Sequence, residues 1–234
     1  SATKMSWMIE NNNIVKEALE NKNLCLSNID GFLLYKLSGN QSFKTEPSNA
    51  SRTLLMDLDT CQWDKDLCKF FNIPQFVLPE IQESFGEFGV TKGLDFLPDG
   101  IRITCMLGDQ QAALFGQAGH TEGELKCTYG TGAFIVLNTG TKKIKSTNGL
   151  LTTVAYKFNS KPVYALEGSS YIAGAAVQWL RDNLGIIKSA SEVESLASKA
   201  SNESMESVMF LPFFTGIGSP FWKADAKAAI VGLS

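Results

Sequence analysis

The chain has 234 residues, long for one domain and short for two large ones. Its 44% hydrophobic and 19% charged content suit a globular protein with a sizeable core. A formal net charge of -3, with no dense Lys/Arg cluster, argues against nucleic acid or an anionic membrane as the main partner. The cysteines Cys25, Cys61, Cys68, Cys105 and Cys127 are scattered and form no CxxC pair, which reads as reduced thiols in a cytoplasmic protein. No run approaches the ~18 apolar residues of a membrane span, and no signal-peptide pattern opens the chain. Ser1 replaces an initiator Met, so the sequence reads as cut from something longer.

Met5 to Glu20 has helical spacing, with Trp7, Met8, Ile14, Val15 and Ala18 among its apolar positions. A second helix is predicted from Ser27 to Leu37, stopped by Gly39. The run from Thr45 to Arg52 is dense in small polar residues and reads as a turn or a ligand loop. Asp64 to Phe71 reads as a short amphipathic helix. Connections and an edge hairpin fill the stretch with Pro74, Pro79 and the run from Gly86 to Gly100. Ile101 to Leu107 is a β-branched, apolar strand that ends at Gly108, and a helix starts at once. After Gly119 the texture changes to strands: Glu124–Tyr129, Phe134–Asn138, Leu151–Phe158 and Val163–Leu166, separated by turns at Gly130-Thr131-Gly132, Thr139-Gly140-Thr141 and Asn159-Ser160. A domain boundary is placed near Gly119-His120, giving domains of 1–118 and 119–234. Helices are predicted over Ser169–Leu184 and Ser191–Ala200, a strand over Val208–Leu211, and a packed aromatic loop over Phe213–Trp222.

Three constellations carry candidate chemistry. Asp109 stands at a strand-to-helix junction. Its carboxylate can cap the helix, or it can point into a cleft at the strand's carboxyl end, and local pattern alone favours the cap. The one histidine, His120, lies in a Gly-His-Thr turn and reads as a surface residue, so a carboxylate is the better candidate for a general base. Tyr129-Gly130-Thr131-Gly132 offers exposed N–H groups and a hydroxyl for a phosphate oxygen, although an ordinary hairpin turn has the same composition. Gly174 and Gln178 share one helix face at i, i+4, opposite a stripe of Ile172, Ala176, Trp179 and Leu180. A glycine inside a helix costs roughly 1 kcal/mol and suits either helix packing or a close ligand.

Gly-Asp-Gln-Gln at Asp109, the Tyr-Gly-Thr-Gly turn, Asn148-Gly149-Leu150-Leu151-Thr152-Thr153, and Leu166-Glu167-Gly168 followed by Gln178-Trp179-Leu180-Arg181-Asp182 resemble the glycerol kinases. These are carbohydrate kinases of the actin-like ATPase superfamily. The resemblance runs back through Asn49-Ala50-Ser51-Arg52-Thr53 to Ser1. It implies an α/β, ribonuclease H-like fold, with parts of two domains flanking a central cleft. The first part belongs to the substrate-side domain and the second to the nucleotide-side domain.

By this resemblance Asp109 is the base that accepts a proton from glycerol during transfer of the γ-phosphoryl of ATP, with Mg²⁺ bridging the phosphates. Gln110 bonds a glycerol hydroxyl and Phe134 forms an apolar wall. Thr131, Gly174 and Gln178 contact the nucleotide. Segments that complete both pockets in this family have no counterpart here, so the chain alone is expected to be inactive. A kinase for another polyol or pentulose, and a non-enzymatic actin-like nucleotide-binding module, are the alternatives, and homo-oligomerisation stays open. Some bacterial relatives bind a sugar bisphosphate through a Gly and an Arg where this chain has Pro98 and Gly100. Without the Arg that regulation is not expected, and Pro98-Asp99-Gly100 reads as a turn.

Overall fold

The computed structural model describes residues 1–201 and 207–233. The chain divides into two compact units. Unit 1 comprises Ser1–Glu124, Asn138–Ile144 and Thr152–Ala165; unit 2 comprises Leu125–Leu137, Lys145–Leu151 and the chain from Leu166 onward.

Unit 1 opens with α1 (Ala2–Asn11) and α2 (Asn13–Glu20), where the apolar spacing predicts one helix. The break falls in the run Asn11-Asn12-Asn13. Asn12 leaves the helical conformation, and its Oδ1 accepts from the N–H groups of Ile14 (3.0 Å) and Val15 (3.2 Å). An amide this close to its own backbone offers a better partner than helix continuation does. Helix α3 (Ile29–Leu37) follows, and the chain leaves it through Gly39 at φ +62°. Then come β1 (Lys44–Thr45), α4 (Pro47–Ala50), β2 (Met56–Asp57), β3 (Gln62–Trp63) and α5 (Lys65–Phe70). Asp64 caps α5 by accepting from Leu67 N at 2.8 Å. The segment from Thr45 to Arg52 is therefore short strand and helix, not an exposed turn, and Glu46, Pro47, Ser48 and Ala50 are buried.

Strand β4 (Glu80–Ile81) pairs parallel with β1, and β5 (Phe85–Val90) pairs antiparallel with β6 (Arg102–Cys105). The predicted strand from Ile101 is thus shorter than its apolar run. Helix α6 (Asp109–Gly116) follows it. The next strands are β7 (Leu125–Tyr129), β8 (Ala133–Gly140), β9 (Leu151–Phe158) and β10 (Lys161–Ser170), in the sheet order β7-β8-β10-β9. The turn between β9 and β10 is Asn159-Ser160, both residues at positive φ, as a tight hairpin requires. Last come α7 (Gly174–Asp182), α8 (Glu192–Ala197), β11 (Met209–Leu211) and β12 (Ala229–Val231), the last two paired antiparallel.

Unit 1 holds two apolar clusters. One gathers Ala2, Met5, Leu26, Leu55, Cys68, Ile73, Val77 and Leu78 from the first helices, α5 and the loops around it. The other gathers Ala50, Met56, Cys61, Val154 and Tyr164. Trp63 packs against both, and its indole N–H donates to Pro79 O at 2.7 Å. All five cysteines are free thiols, and burial pushes those of Cys61 and Cys68 above the ordinary value, so they stay protonated.

One polar group in the first turn of α3 is poorly served. Asp30 Oδ2 accepts from the Thr45 hydroxyl, but its Oδ1 and the neighbouring Ser27 Oγ are buried without a hydrogen-bond partner. Burial pushes the Asp30 carboxyl above its usual range, against the hydrogen bond from Thr45. A carboxyl with a raised folded pKa binds its proton more tightly when folded, so its contribution falls as pH rises through that value. Asp30→Asn removes the charge and should raise the thermal midpoint at neutral pH. The gain should shrink as pH approaches about 4, where the unfolded carboxyl also protonates. Unfolding followed by circular dichroism across that range checks it.

Candidate active site

Asp109 is the first residue of α6, and Gly108, not Asp109, occupies the N-cap. The cap expected for Asp109 is therefore not formed. Its Oδ1 accepts from the adjacent Gln110 N–H at 2.8 Å and from no other donor among the described residues, and the residue is exposed. A carboxylate with open lone pairs at a helix N-terminus can accept a proton from an approaching hydroxyl. The helix beneath it is firmly seated. Leu114 is fully buried, and the Phe115 ring packs edge-on against Tyr156 (5.6 Å) and at a tilt against Phe85 (5.2 Å) and the His120 ring (4.5 Å). His120 is exposed, as its turn context implies, with a ring nitrogen 2.9 Å from Phe115 O.

The backbone around Gly108 is held on both sides. Its N–H donates to Ser48 Oγ at 2.8 Å, and its carbonyl accepts from Ala112 N at 2.7 Å. A Cβ at position 108 would lie 2.7 Å from Gln111 Oε1, so a larger residue there would have to displace the end of that side chain. Ser48 Oγ in turn donates to Glu46 Oε1 at 2.5 Å. The sequence reading missed this group, because the polar run around it reads as a turn. The available signal was an acidic residue directly before Pro47, the pattern of an N-cap followed by a first-turn proline.

In unit 2 the Gly130-Thr131-Gly132 turn is joined to the start of α7. Gly130 N donates to Gly132 O at 2.8 Å. The turn's carbonyls accept from the helix: Gly130 O from Gly174 N (2.8 Å), and Thr131 O from Ala173 N (2.8 Å) and Ala175 N (3.2 Å). Gly174 is thus the first residue of α7, not an interior position, and residues 169–170 belong to β10. A Cβ on Gly174 would lie 2.6 Å from Gly130 O, so the glycine is explained by this joint. Thr131, Gly174 and Gln178 are all exposed on unit 2, and Phe134 is half-buried on β8. The stripe predicted opposite Gln178 is only partly covered: no residue of α7 is buried, and Trp179 stacks on Phe214 (4.9 Å) and Phe210 (5.6 Å).

The loop before β6 closes on itself. Thr91 Oγ1 donates to Pro98 O at 2.6 Å, and Asp99 Oδ1 accepts from Gly93 N at 2.7 Å. Gly100 sits at φ +88°, so Pro98-Asp99-Gly100 is the turn that its composition predicts. The nearby Arg102 is engaged with Glu87.

Unit 1 thus carries an exposed carboxylate on a seated helix, and unit 2 separately carries a glycine-bracketed threonine tied to a helix start. Residues 1–116 match the N-terminal domain of the FGGY family of carbohydrate kinases, and residues 125–234 match its C-terminal domain. The chain belongs to that family, whose fold is the actin-like, ribonuclease H-like α/β fold. It is 51% identical over 236 residues to a glycerol kinase of Bdellovibrio bacteriovorus and 47% identical over 235 residues to one of Myxococcus xanthus. Each match covers 100% of this chain and 47% of the relative, so the chain spans about half their length. The crystal structure of Plasmodium falciparum glycerol kinase with ADP matches with a TM-score of 0.87 and 45% identity, over 100% of this chain and 46% of that one. A ligand-bound xylulose kinase of Lactobacillus acidophilus, 21% identical with a TM-score of 0.78 over 99% of this chain and 46% of its own, shares the fold.

Two glycines on helices should respond oppositely to a methyl group. Gly174→Ala forces the joint with Gly130 apart and should lower the thermal midpoint. In Gly116→Ala the new Cβ meets nothing within 4 Å, and the substitution should stabilise by about 0.5 kcal/mol through lost unfolded-state entropy. Thermal unfolding of the two variants beside the parent protein checks the pair.

Proposed function

We propose that the full-length protein containing this chain transfers the γ-phosphoryl group of ATP to glycerol, giving glycerol 3-phosphate and ADP. The 51% identity to a glycerol kinase along the whole chain carries this reading, together with the exposed carboxylate of Asp109 at the start of α6. In this reading residues 1–118 are the last part of a substrate-side domain and residues 119–234 the first part of a nucleotide-side domain.

Asp109 accepts the proton of a primary hydroxyl as that oxygen bonds to the γ-phosphorus. The bond from phosphorus to the β–γ bridging oxygen breaks, and ADP leaves with the electron pair. Gln110 holds a glycerol hydroxyl by hydrogen bonding, and Phe134 lies against the glycerol carbons. Thr131, Gly174 and Gln178 contact the nucleotide. Mg²⁺ bound with the nucleotide would offset the charge of the phosphates.

Asp109→Asn in the full-length protein should lower kcat by about 10²- to 10⁴-fold, the range for loss of a positioned general base, with ADP affinity unchanged. Near-parental turnover in that variant would remove Asp109 from the mechanism. Steady-state rates with glycerol, xylulose and ribulose test the acceptor: glycerol should give the highest kcat/KM, and a pentulose ahead of it would favour a different kinase of the family.

A further inference from the structure

We propose that Ser48, held by the buried carboxylate of Glu46, is a positioning residue for Asp109. The proposal rests on the reading of Asp109 as the base. Glu46 has no exposed surface, yet it carries a carboxylate with five donors around it. Oε1 accepts from Ser48 Oγ (2.5 Å), Asn49 N (2.7 Å) and Asn49 Nδ2 (2.9 Å); Oε2 accepts from Ser48 N (2.9 Å) and Ser84 Oγ (2.7 Å). This is more than capping of the four-residue α4 needs.

The direction of each hydrogen bond is determined. Gly108 N–H can only donate, so Ser48 Oγ accepts from it and its own proton goes to Glu46. Lys157 N–H likewise donates to Ser84 Oγ at 3.0 Å, so the Ser84 proton also goes to Glu46. An ionised carboxylate, which only accepts, suits all five donors. Burial, the largest influence, leaves the Glu46 carboxyl above its usual range, and the hydrogen bonds from Ser48, Ser84 and Asn49 pull against it. The chain Glu46–Ser48–Gly108 ends on the residue directly before Asp109. Among the described residues Asp109 has one hydrogen bond of its own, from the neighbouring N–H, so its place is set by the backbone that carries it. Misplacing a catalytic group by about 1 Å costs on the order of 100-fold in rate.

The test is a double-mutant cycle in the full-length protein, with kcat read per site from ADP-binding stoichiometry. Ser48→Ala should lower kcat about 10- to 100-fold with the KM for ATP little changed. In an Asp109→Asn background the same substitution should have no further effect on kcat. A Ser48→Ala variant with unchanged kcat, or one that loses the same factor in both backgrounds, would overturn the positioning role while leaving the base intact. If Asp109→Asn alone keeps near-parental kcat, the base reading fails and the positioning role falls with it. Should Ser48→Ala not fold, Ser48→Cys, which keeps the volume with a poorer acceptor, is read by the same criteria.

Discussion

Unit 1 depends on satisfying one buried charge. A carboxylate removed from water costs several kcal/mol unless hydrogen bonds replace its hydration. Glu46 meets that condition through five donors drawn from its own helix and from Ser84. Both hydroxyls in the group also accept from a distant backbone N–H, that of Gly108 or Lys157. One carboxylate therefore ties α4, the turn before α6, the residue before β5 and the edge of β9 into a single arrangement. A network in which each member has only one workable orientation is rigid, because any partial arrangement leaves a buried group unpaired.

Unit 2 is built differently. Helix α7 buries no residue, and close backbone contacts do much of the joining. Gly174 admits the Gly130 carbonyl. Gly149, at φ +69°, lies where a Cβ would be 2.3 Å from Pro220 O, and its own carbonyl accepts from the Trp222 indole at 2.6 Å. The glycines that make the family resemblance specific in this unit are thus explained first by backbone packing. Exposed side chains such as Thr131 and Gln178 are left to meet a ligand. Scaffold and chemistry occupy adjacent positions of the same motifs.

Much of the fold was legible because local rules and tertiary packing agree. The hairpin at Asn159-Ser160, the strand Leu151–Phe158, the short helix capped by Asp64 and the turn at Pro98-Asp99-Gly100 each follow from neighbouring residues alone. The misreadings came where a polar side chain chose a partner. Asn12 turned to its own backbone and split a helix that the apolar spacing predicts as continuous. Around Glu46, small polar residues were satisfied by one another and buried, where composition suggests solvent. At α7 the carbonyls of a turn more than forty residues earlier decided where the helix begins.

The amino-acid sequence by itself determined the α/β class, the order of most elements and the motifs that place the chain among carbohydrate kinases. These depend on periodicity, turn chemistry and residue order, all of which are local. Only the tertiary structure decided that Gly108 caps α6 and leaves the Asp109 carboxylate open, that Gly174 serves a carbonyl contact, and that Ser48 reaches Gly108 sixty positions away. A hydrogen bond across such a separation leaves no periodic trace in the chain, because its partners are chosen by where packed elements bring them.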